Sequence, residues 1–158
     1  MNRSNQQNPI NILKTIHWGL TIGTVLFGVI FCYLMMTMTE PTLVDFDNIL
    51  TFLPLLVAAM MIPASSIAFH SSLKKLLKKN PDLKQKISAF QNAHIIQMAM
   101  LEAVGLLSVV ICFLTNSYVN FLMFGIILLL MILSTPSTFK LSEQLHLSKS
   151  EIDQLDMK

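Results

Sequence analysis

Long apolar stretches separated by short polar segments dominate the chain. Apolar residues run almost without interruption over four segments, at 12–36, 49–69, 93–114 and 118–134. A helix of about 20 apolar residues crosses a ~30 Å hydrocarbon core, so three segments are long enough and the fourth is barely so. The pattern predicts an all-α, polytopic membrane protein with four transmembrane helices, folded as a single membrane domain over 1–158.

Two of these segments have features that a membrane helix must accommodate. The segment 12–36 is too long for the apolar part of a cleaved signal peptide, and no small-residue cleavage site follows it. We therefore expect a retained helix. The second segment contains Pro54 and Pro63, and proline bends a helix but is tolerated in membranes where neighbours satisfy the freed carbonyl.

Composition agrees with a lipid environment. The chain is 53% hydrophobic and 13% charged, whereas a soluble domain carries about a quarter charged residues. Its 158 residues leave no room for a separate soluble catalytic module. The net charge of +2 gives no global electrostatic support for nucleic-acid binding, and two cysteines make neither a disulfide framework nor a zinc site.

The positive charges lie on one side of the predicted membrane. They occupy the N-terminal segment, the loop between helices two and three, and the tail: Arg3, Lys14, Lys74, Lys75, Lys78, Lys79, Lys84, Lys86, Lys140, Lys149 and Lys158. The other two loops have none, and the first holds Glu40, Asp45 and Asp47. Cytoplasmic loops are enriched in Lys and Arg. We expect an antiparallel bundle in the bacterial inner membrane with both termini cytoplasmic.

The loop 70–92 is predicted to be a Lys-rich cytoplasmic hairpin. Residues 71–79 continue helix two, with leucines on one side and lysines on the other, until Asn80 and Pro81 break the helix. The candidate lipid-surface residues are Lys74, Lys75, Lys78 and Lys79, because cations near anionic head groups contribute about 1 kcal/mol each. The alternative is that these lysines only determine topology.

The tail 135–158 is predicted to be amphipathic and to lie on the membrane surface. Pro136 is expected at the first helical position, and Leu141 and Leu145 fall four residues apart on one side. Ser148 and Glu151 have the spacing of a capping box, which predicts a second short helix.

Glu102 is the candidate intramembrane functional acid. It lies nine residues beyond Ala93, about 14 Å along the helix and close to the bilayer centre. An ionisable group there costs about 2.5–3.5 kcal/mol, and desolvation favours its neutral form. The functional interpretation is a proton, ion or substrate site, and the structural alternative is a neutral acid that hydrogen-bonds another helix.

Small residues suggest where helices approach each other. Gly19 and Gly23 have the Gly-x-x-x-Gly spacing on helix one, and Gly105 lies one turn from Glu102 on helix three, so all three are candidate helix-packing residues. At the depth of Glu102, helix one presents Gly23 and Thr24, and helix two presents residues 60–63 with Ser65 and Ser66 a turn lower. A hydroxyl or a proline-freed carbonyl among these residues is the candidate acceptor for the Glu102 proton.

Three histidines, His17, His70 and His94, fall at the predicted cytoplasmic ends of helices one, two and three. They would ligate a metal or haem if the helices converged, although histidine also suits an interface for structural reasons. The favoured expectation is no metal and no cofactor. Cys32 and Cys112 are expected to be buried small apolar residues.

Two resemblances involve helix three. Residues 98–110, Met-Ala-Met-Leu-Glu-Ala-Val-Gly-Leu-Leu-Ser-Val-Val, locally resemble the acid-bearing helix of rotary ATPase proteolipid subunits, which implies that Glu102 carries an ion. The chain departs from that family in having only five glycines and in placing the acid on helix three. Residues 94–106 with the Pro-led segment 136–148 resemble an uncharacterised family of small four-helix bacterial inner-membrane proteins. That resemblance implies the topology and no activity.

The sequence predicts a small, non-enzymatic membrane protein that acts as an assembly or accessory component. The segments contain no Gly-rich phosphate loop, no nucleophile elbow and no His-Glu-x-x-His. The alternative is an oligomeric proton, ion or solute transporter with Glu102 as the titrating acid. The expected partners are the bilayer, anionic head groups, and a second copy or another membrane protein, with no nucleic acid.

Overall fold

The computed structural model describes residues 9–38, 43, 48–78, 81–145, 147 and 151, and within these residues the chain is helical. Five α-helices and one short 3-10 helix follow one another: α1 Pro9–Met38, the 3-10 turn Ile49–Phe52, α2 Leu53–Leu77, α3 Leu83–Thr115, α4 Tyr118–Leu133 and α5 Thr138–Gln144.

Local chemistry explains where the helices start and stop. Pro54 lies in the first turn of α2, where its missing N–H costs nothing. The carboxylate of Asp82 accepts a hydrogen bond from the Gln85 backbone N–H at 2.8 Å and so caps α3. Asn116 ends α3 in the left-handed conformation with φ 53°. The break predicted between helices two and three is confirmed, because α2 ends at Leu77 and α3 begins at Leu83.

Three of the described helices are long and apolar enough to cross a membrane: Ile10–Thr37, the continuous Ile49–Leu77 segment, and Leu83–Thr115. A fourth crossing is counted only if α4 and α5 are taken together across a bend of 80°. With 16 residues, α4 alone is about 24 Å long. The structure is therefore that of a helical membrane protein with three to four candidate spans.

Helix α3 lies at the centre of the packing. It contacts α1, α2 and α4, and 50% of its apolar window is buried within the protein, against 22% for α1 and for α2. Its inner face contributes Met98, Leu101 and Val104 to a core that also contains Ala58, Ile127 and Met131. The outward faces of α1 and α2 remain exposed and apolar, as lipid contact requires.

The contacts between α1 and α3 keep one register. They join His17 to His94, Thr24 to Glu102 and Met35 to Cys112, at sequence separations of 77, 78 and 77 residues. A constant separation means that the two helices run in the same direction. Contacts of α1 with α4 follow the reverse order, since His17 meets Thr135 near the start of α1 and Gly28 meets Phe124 further along.

A second core closes the end of the bundle where α1 and α3 begin. It joins α1, α2, α3 and α5 through these buried residues: Ile10, Leu13, Phe69, Leu73, Ile87, Phe90, Ala93, Leu141 and Leu145. We call this group the end core. The apolar side of the first part of the tail packs on the protein itself, because Leu141 and Leu145 are each only 1% exposed.

The tail differs from expectation in where its helix starts. Helix α5 begins at Thr138, and the Ser137 side chain accepts from the Lys140 backbone N–H at 3.2 Å as its N-cap. Pro136 therefore precedes the helix instead of opening it. The capping box predicted over 148–151 lies outside the described residues except for Glu151, which forms an ion pair with Lys86 at 2.8 Å.

Candidate functional site: a buried histidine pair beside a polar cavity

Two histidines from different helices face each other inside the bundle. His17 of α1 and His94 of α3 are 0% and 3% exposed, and His17 Nδ1 lies 3.2 Å from His94 Nε2. Their ring centroids are 5.4 Å apart. On its other side, the His94 ring stacks parallel to Phe90, which lies one turn earlier on α3. The register of α1 on α3 brings the pair together.

Thr135, just after α4, extends this pair into a chain of three side chains. Its hydroxyl donates to the Ile132 carbonyl at 2.6 Å, so the oxygen is left to accept from His17 Nε2 at 3.1 Å. With both imidazoles neutral, each has one donor and one acceptor. His17 then accepts at Nδ1 from His94 Nε2, and the remaining His94 nitrogen, Nδ1, is an acceptor.

A cavity of about 190 Å³ adjoins the histidine pair. Phe69, Phe90 and His94 form part of its wall, and Gln97, Lys140 and Gln144 supply its longer polar side chains. The Lys140 ammonium donates to the carbonyls of Leu133 and Thr135, at 2.8 and 3.1 Å. This cation therefore satisfies the carbonyl end of α4, where positive charge is favourable.

Glu102 lies further along α3 and is half-buried. Its Oε1 is 3.4 Å from the hydroxyl oxygen of Thr24, which is fully buried on α1. The Thr24 hydroxyl also donates to the Leu20 carbonyl at 2.9 Å. The same hydroxyl is the donor toward Glu102 Oε1, and the longer distance makes this the weaker of its two contacts. Thr24 is one of several residues that depth matching placed near Glu102.

Of the three predicted rim histidines, His17 and His94 meet directly and His70 does not join them. His70 is exposed, and its Nδ1 lies 2.8 Å from the Ser66 carbonyl oxygen, one turn earlier on α2. It lines the cavity but makes no bond to the His17–His94 pair that the structure shows. Among the described residues, no group of three or more His, Cys, Asp or Glu side chains is arranged to hold a metal ion.

The glycines divide into two kinds. A Cβ at Gly19 or Gly23 would meet nothing within 4 Å, so none of the described helices packs on the predicted Gly-x-x-x-Gly face. Gly105 does lie at a helix contact, since a Cβ there would be 3.3 Å from Ile127. Gly28, which the motif search missed, is the closest approach, because a Cβ there would lie 2.3 Å from the Phe124 ring.

The remaining predicted residues lie at the surface or in the core. Lys74, Lys75 and Lys78 are exposed, and Lys79 lies outside the described residues. Both cysteines are free. Cys112 is buried with its sulfur 3.5 Å from the Met35 sulfur, while Cys32 is half-buried.

The helices define the class of the molecule as an integral membrane protein. No protein-family model, curated protein or solved structure matches the chain. The resemblances to small four-helix inner-membrane proteins and to proteolipid subunits therefore stay predictions. Functional inference rests on the side chains themselves.

Of the residues that line the cavity, His70 and His94 were candidates from the sequence, whereas Gln97, Lys140 and Gln144 were not predicted to form a site. Lys140 and Gln144 are four residues apart and so share a side of α5, next to the Leu141 and Leu145 pair. That spacing was a usable signal. No sequence signal indicated Thr135, because its hydrogen bond to His17 depends on where the end of α4 lies against α1.

Proposed function

We propose that the chain is a non-enzymatic inner-membrane protein that works as one component of a membrane assembly. In this proposal the four apolar segments cross the membrane as an antiparallel bundle with both termini cytoplasmic. The distribution of Lys and Arg supports the orientation. The contacts of α1 with α3 run in the same order along both helices, and those of α1 with α4 run in opposite order. This supports helices that alternate in direction across the membrane.

The face of α3 around Glu102 carries the proposal. Glu102 is only half-buried by its own chain, and Ala99 and Ala103 beside it are exposed. An ionisable side chain is costly against lipid, whereas small residues with a polar side chain are typical of a surface on which another helix packs. A helix from a second copy fits these requirements best, since the Glu102 carboxyl and its exposed alanines recur on it.

Cross-linking within the membrane tests the assembly. In a chain whose two native cysteines are replaced by alanine, Ala103→Cys is expected to form disulfide-linked dimers in native membranes, whereas Val29→Cys on the exposed face of α1 is the matched control. Val29 is 60% exposed, so accessibility alone does not separate the two positions. Glu102→Gln keeps a hydrogen-bonding group and should retain the dimer, and Glu102→Leu should weaken it.

Each outcome has a defined meaning. Equal cross-linking at both positions would overturn the specific α3 interface. A cross-link from Ala103→Cys to a different membrane protein, identified by mass spectrometry, would retain the assembly role and replace the second copy as partner. A chain that stays uncross-linked in membranes and monomeric in nanodiscs would overturn the proposal.

The orientation has its own test. With the native cysteines removed, a membrane-impermeant maleimide should label Leu43→Cys in cells with a permeable outer membrane. Lys75→Cys should react only after the inner membrane is opened. Both native residues are exposed, Leu43 by 81%. The opposite labelling pattern would place the termini outside.

Proton or ion transport through an oligomer is the second candidate function. The observation that favours it is a line of polar residues along the α1–α3 contact. His17, Thr21 and Thr24 are all buried on α1, and His94 and Glu102 face them from α3. Such a line would give Glu102 polar access from one end of the bundle.

The two functions separate at Glu102. Transport predicts that Glu102→Gln abolishes proton or cation flux in proteoliposomes while the thermal midpoint and the dimer stay unchanged. A packing role predicts that Gln is tolerated and Leu destabilises. If proteoliposomes with the parent protein show no more proton or cation flux than protein-free liposomes, the transport function is excluded.

A further inference from the structure

The cavity beside His94 carries a positive charge that no acid in its described wall compensates. Two of the three Lys140 N–H groups are taken by the carbonyls of Leu133 and Thr135. The third remains for a ligand, and Lys140 lines the cavity. No Asp or Glu is among the described lining residues. A ligand with a net negative charge is therefore favoured over a zwitterion or a cation.

Two residues of the cavity wall have a side-chain acceptor for which the described structure shows no donor. Gln144 Oε1 is buried and has no hydrogen-bond partner in the described structure. A buried acceptor without a partner is unfavourable, and a donor from a bound molecule would satisfy it. His94 also lines the cavity, and the proton count leaves its Nδ1 as an acceptor. The ligand should thus present hydroxyl or N–H donors as well as negative charge.

Size and position narrow the ligand class. A volume of about 190 Å³ is room for about six water molecules at ~30 Å³ each, comparable to a glycerol group. Residues His70 and Gln144 also line a wider groove that contains Lys74, Lys78 and Glu143. By the apolar pattern, this end of the bundle lies where α2 and α3 leave the hydrocarbon, at the depth of lipid head groups.

We propose that the cavity binds a glycerol phosphate ester, with its phosphate oxygen on the Lys140 ammonium and its hydroxyls donating to Gln144 Oε1 and His94 Nδ1. Phosphatidylglycerol in the adjacent leaflet presents this chemistry, and so does soluble glycerol 3-phosphate in its glycerol and phosphate groups. The site does not involve Glu102, so it stands independently of the proposed assembly.

Native mass spectrometry of the delipidated full chain tests the site. Phosphatidylglycerol should be retained about tenfold more than phosphatidylethanolamine, which is zwitterionic, and more than phosphatidic acid, which lacks the glycerol hydroxyls. Gln144→Leu should lower phosphatidylglycerol retention about tenfold, because it removes an acceptor without touching the end of α4. Lys75→Met, which removes an exposed cation outside the cavity, is the control and should change nothing.

Lys140 needs two variants because it also holds the α4 carbonyls. Lys140→Arg keeps the charge and donors and should retain the lipid, while Lys140→Met should lose it. If Lys140→Met lowers the thermal midpoint, its loss of lipid reflects a disturbed fold, and the lipid retention of Gln144→Leu is then the test of the site. Competition by glycerol 3-phosphate would identify the soluble compound as the ligand, and its failure to compete would identify the lipid. Equal retention of all three lipids, or equal loss in Lys75→Met and Gln144→Leu, would overturn the site.

Discussion

His94 Nε2 lies 3.2 Å from His17 Nδ1, so an imidazole of α3 is bonded directly to an imidazole of α1 in the interior of the bundle. The Thr135 hydroxyl is hydrogen-bonded to the other ring nitrogen of His17, Nε2, at 3.1 Å. Two contacts thereby connect α1, α3 and the segment that follows α4. The pair lies beside Phe90 and Ala93 of the end core, so polar and apolar contacts hold the same end of the molecule.

Replacing one member of this pair should destabilise the fold. His94→Leu leaves the buried His17 Nδ1 without its donor, for an expected loss of about 1–3 kcal/mol in unfolding free energy. The double variant His17→Leu, His94→Leu should cost less than the two single changes combined. Thermal unfolding in detergent micelles measures all three. A His94→Leu protein as stable as the parent would contradict the hydrogen bond.

Gly28 should be the least replaceable glycine. Gly28→Ala places a methyl group 2.3 Å from a carbon of the buried Phe124 ring, so the helices must separate or the ring must move. Overpacking of this kind costs about 1–3 kcal/mol. Gly23→Ala is the matched control, since it faces open space and alanine favours the helix. Equal thermal midpoints for the two variants would show that α1 and α4 do not pack here.

Helix α5 should be held by Leu141. Leu141→Ala removes a side chain that is 1% exposed in the end core, with an expected cost of about 2–5 kcal/mol. Phe139→Ala removes a larger apolar side chain that is 73% exposed and should have little effect. Limited proteolysis would show faster tail cleavage in Leu141→Ala only. Identical cleavage rates would mean that the tail is not docked.

Asn116 should tolerate glycine better than alanine. Its φ of 53° lies in the left-handed region, which costs a residue with a Cβ about 1–2 kcal/mol unless it is Asn or Asp. Asn116→Gly should therefore leave the thermal midpoint near that of the parent, and Asn116→Ala should lower it. The reverse order would show that α3 and α4 are joined by a different turn.

Part of the fold follows directly from the sequence, because lipid imposes a simple rule on it. Backbone groups in hydrocarbon must bond within a helix, so long apolar segments predicted α1, α2 and α3. Depth along each helix also follows from the rise of 1.5 Å per residue, so Thr24 was among the residues predicted to lie level with Glu102.

The sequence did not predict how each helix is rotated about its axis, and so which side chains face a neighbouring helix. Three histidines share one depth, but only His17 and His94 turn toward each other, while His70 faces outward. The apolar side of α5 suits a membrane surface and a protein core equally, so Leu141 and Leu145 did not show which one they contact. Gly28 was missed because its role depends on Phe124 across the bundle and not on any spacing within α1.

The constant register between α1 and α3 limits how this chain can change in length. Contacts separated by 77, 78 and 77 residues extend from His17 to Met35. Inserting or deleting one residue within that stretch would turn every later side chain by about 100° around the helix. Glu102 would lose Thr24, and Cys112 would lose Met35. Natural insertions and deletions should therefore accumulate before α1, between α1 and α2, and after α5, and the two paired helices should keep their lengths.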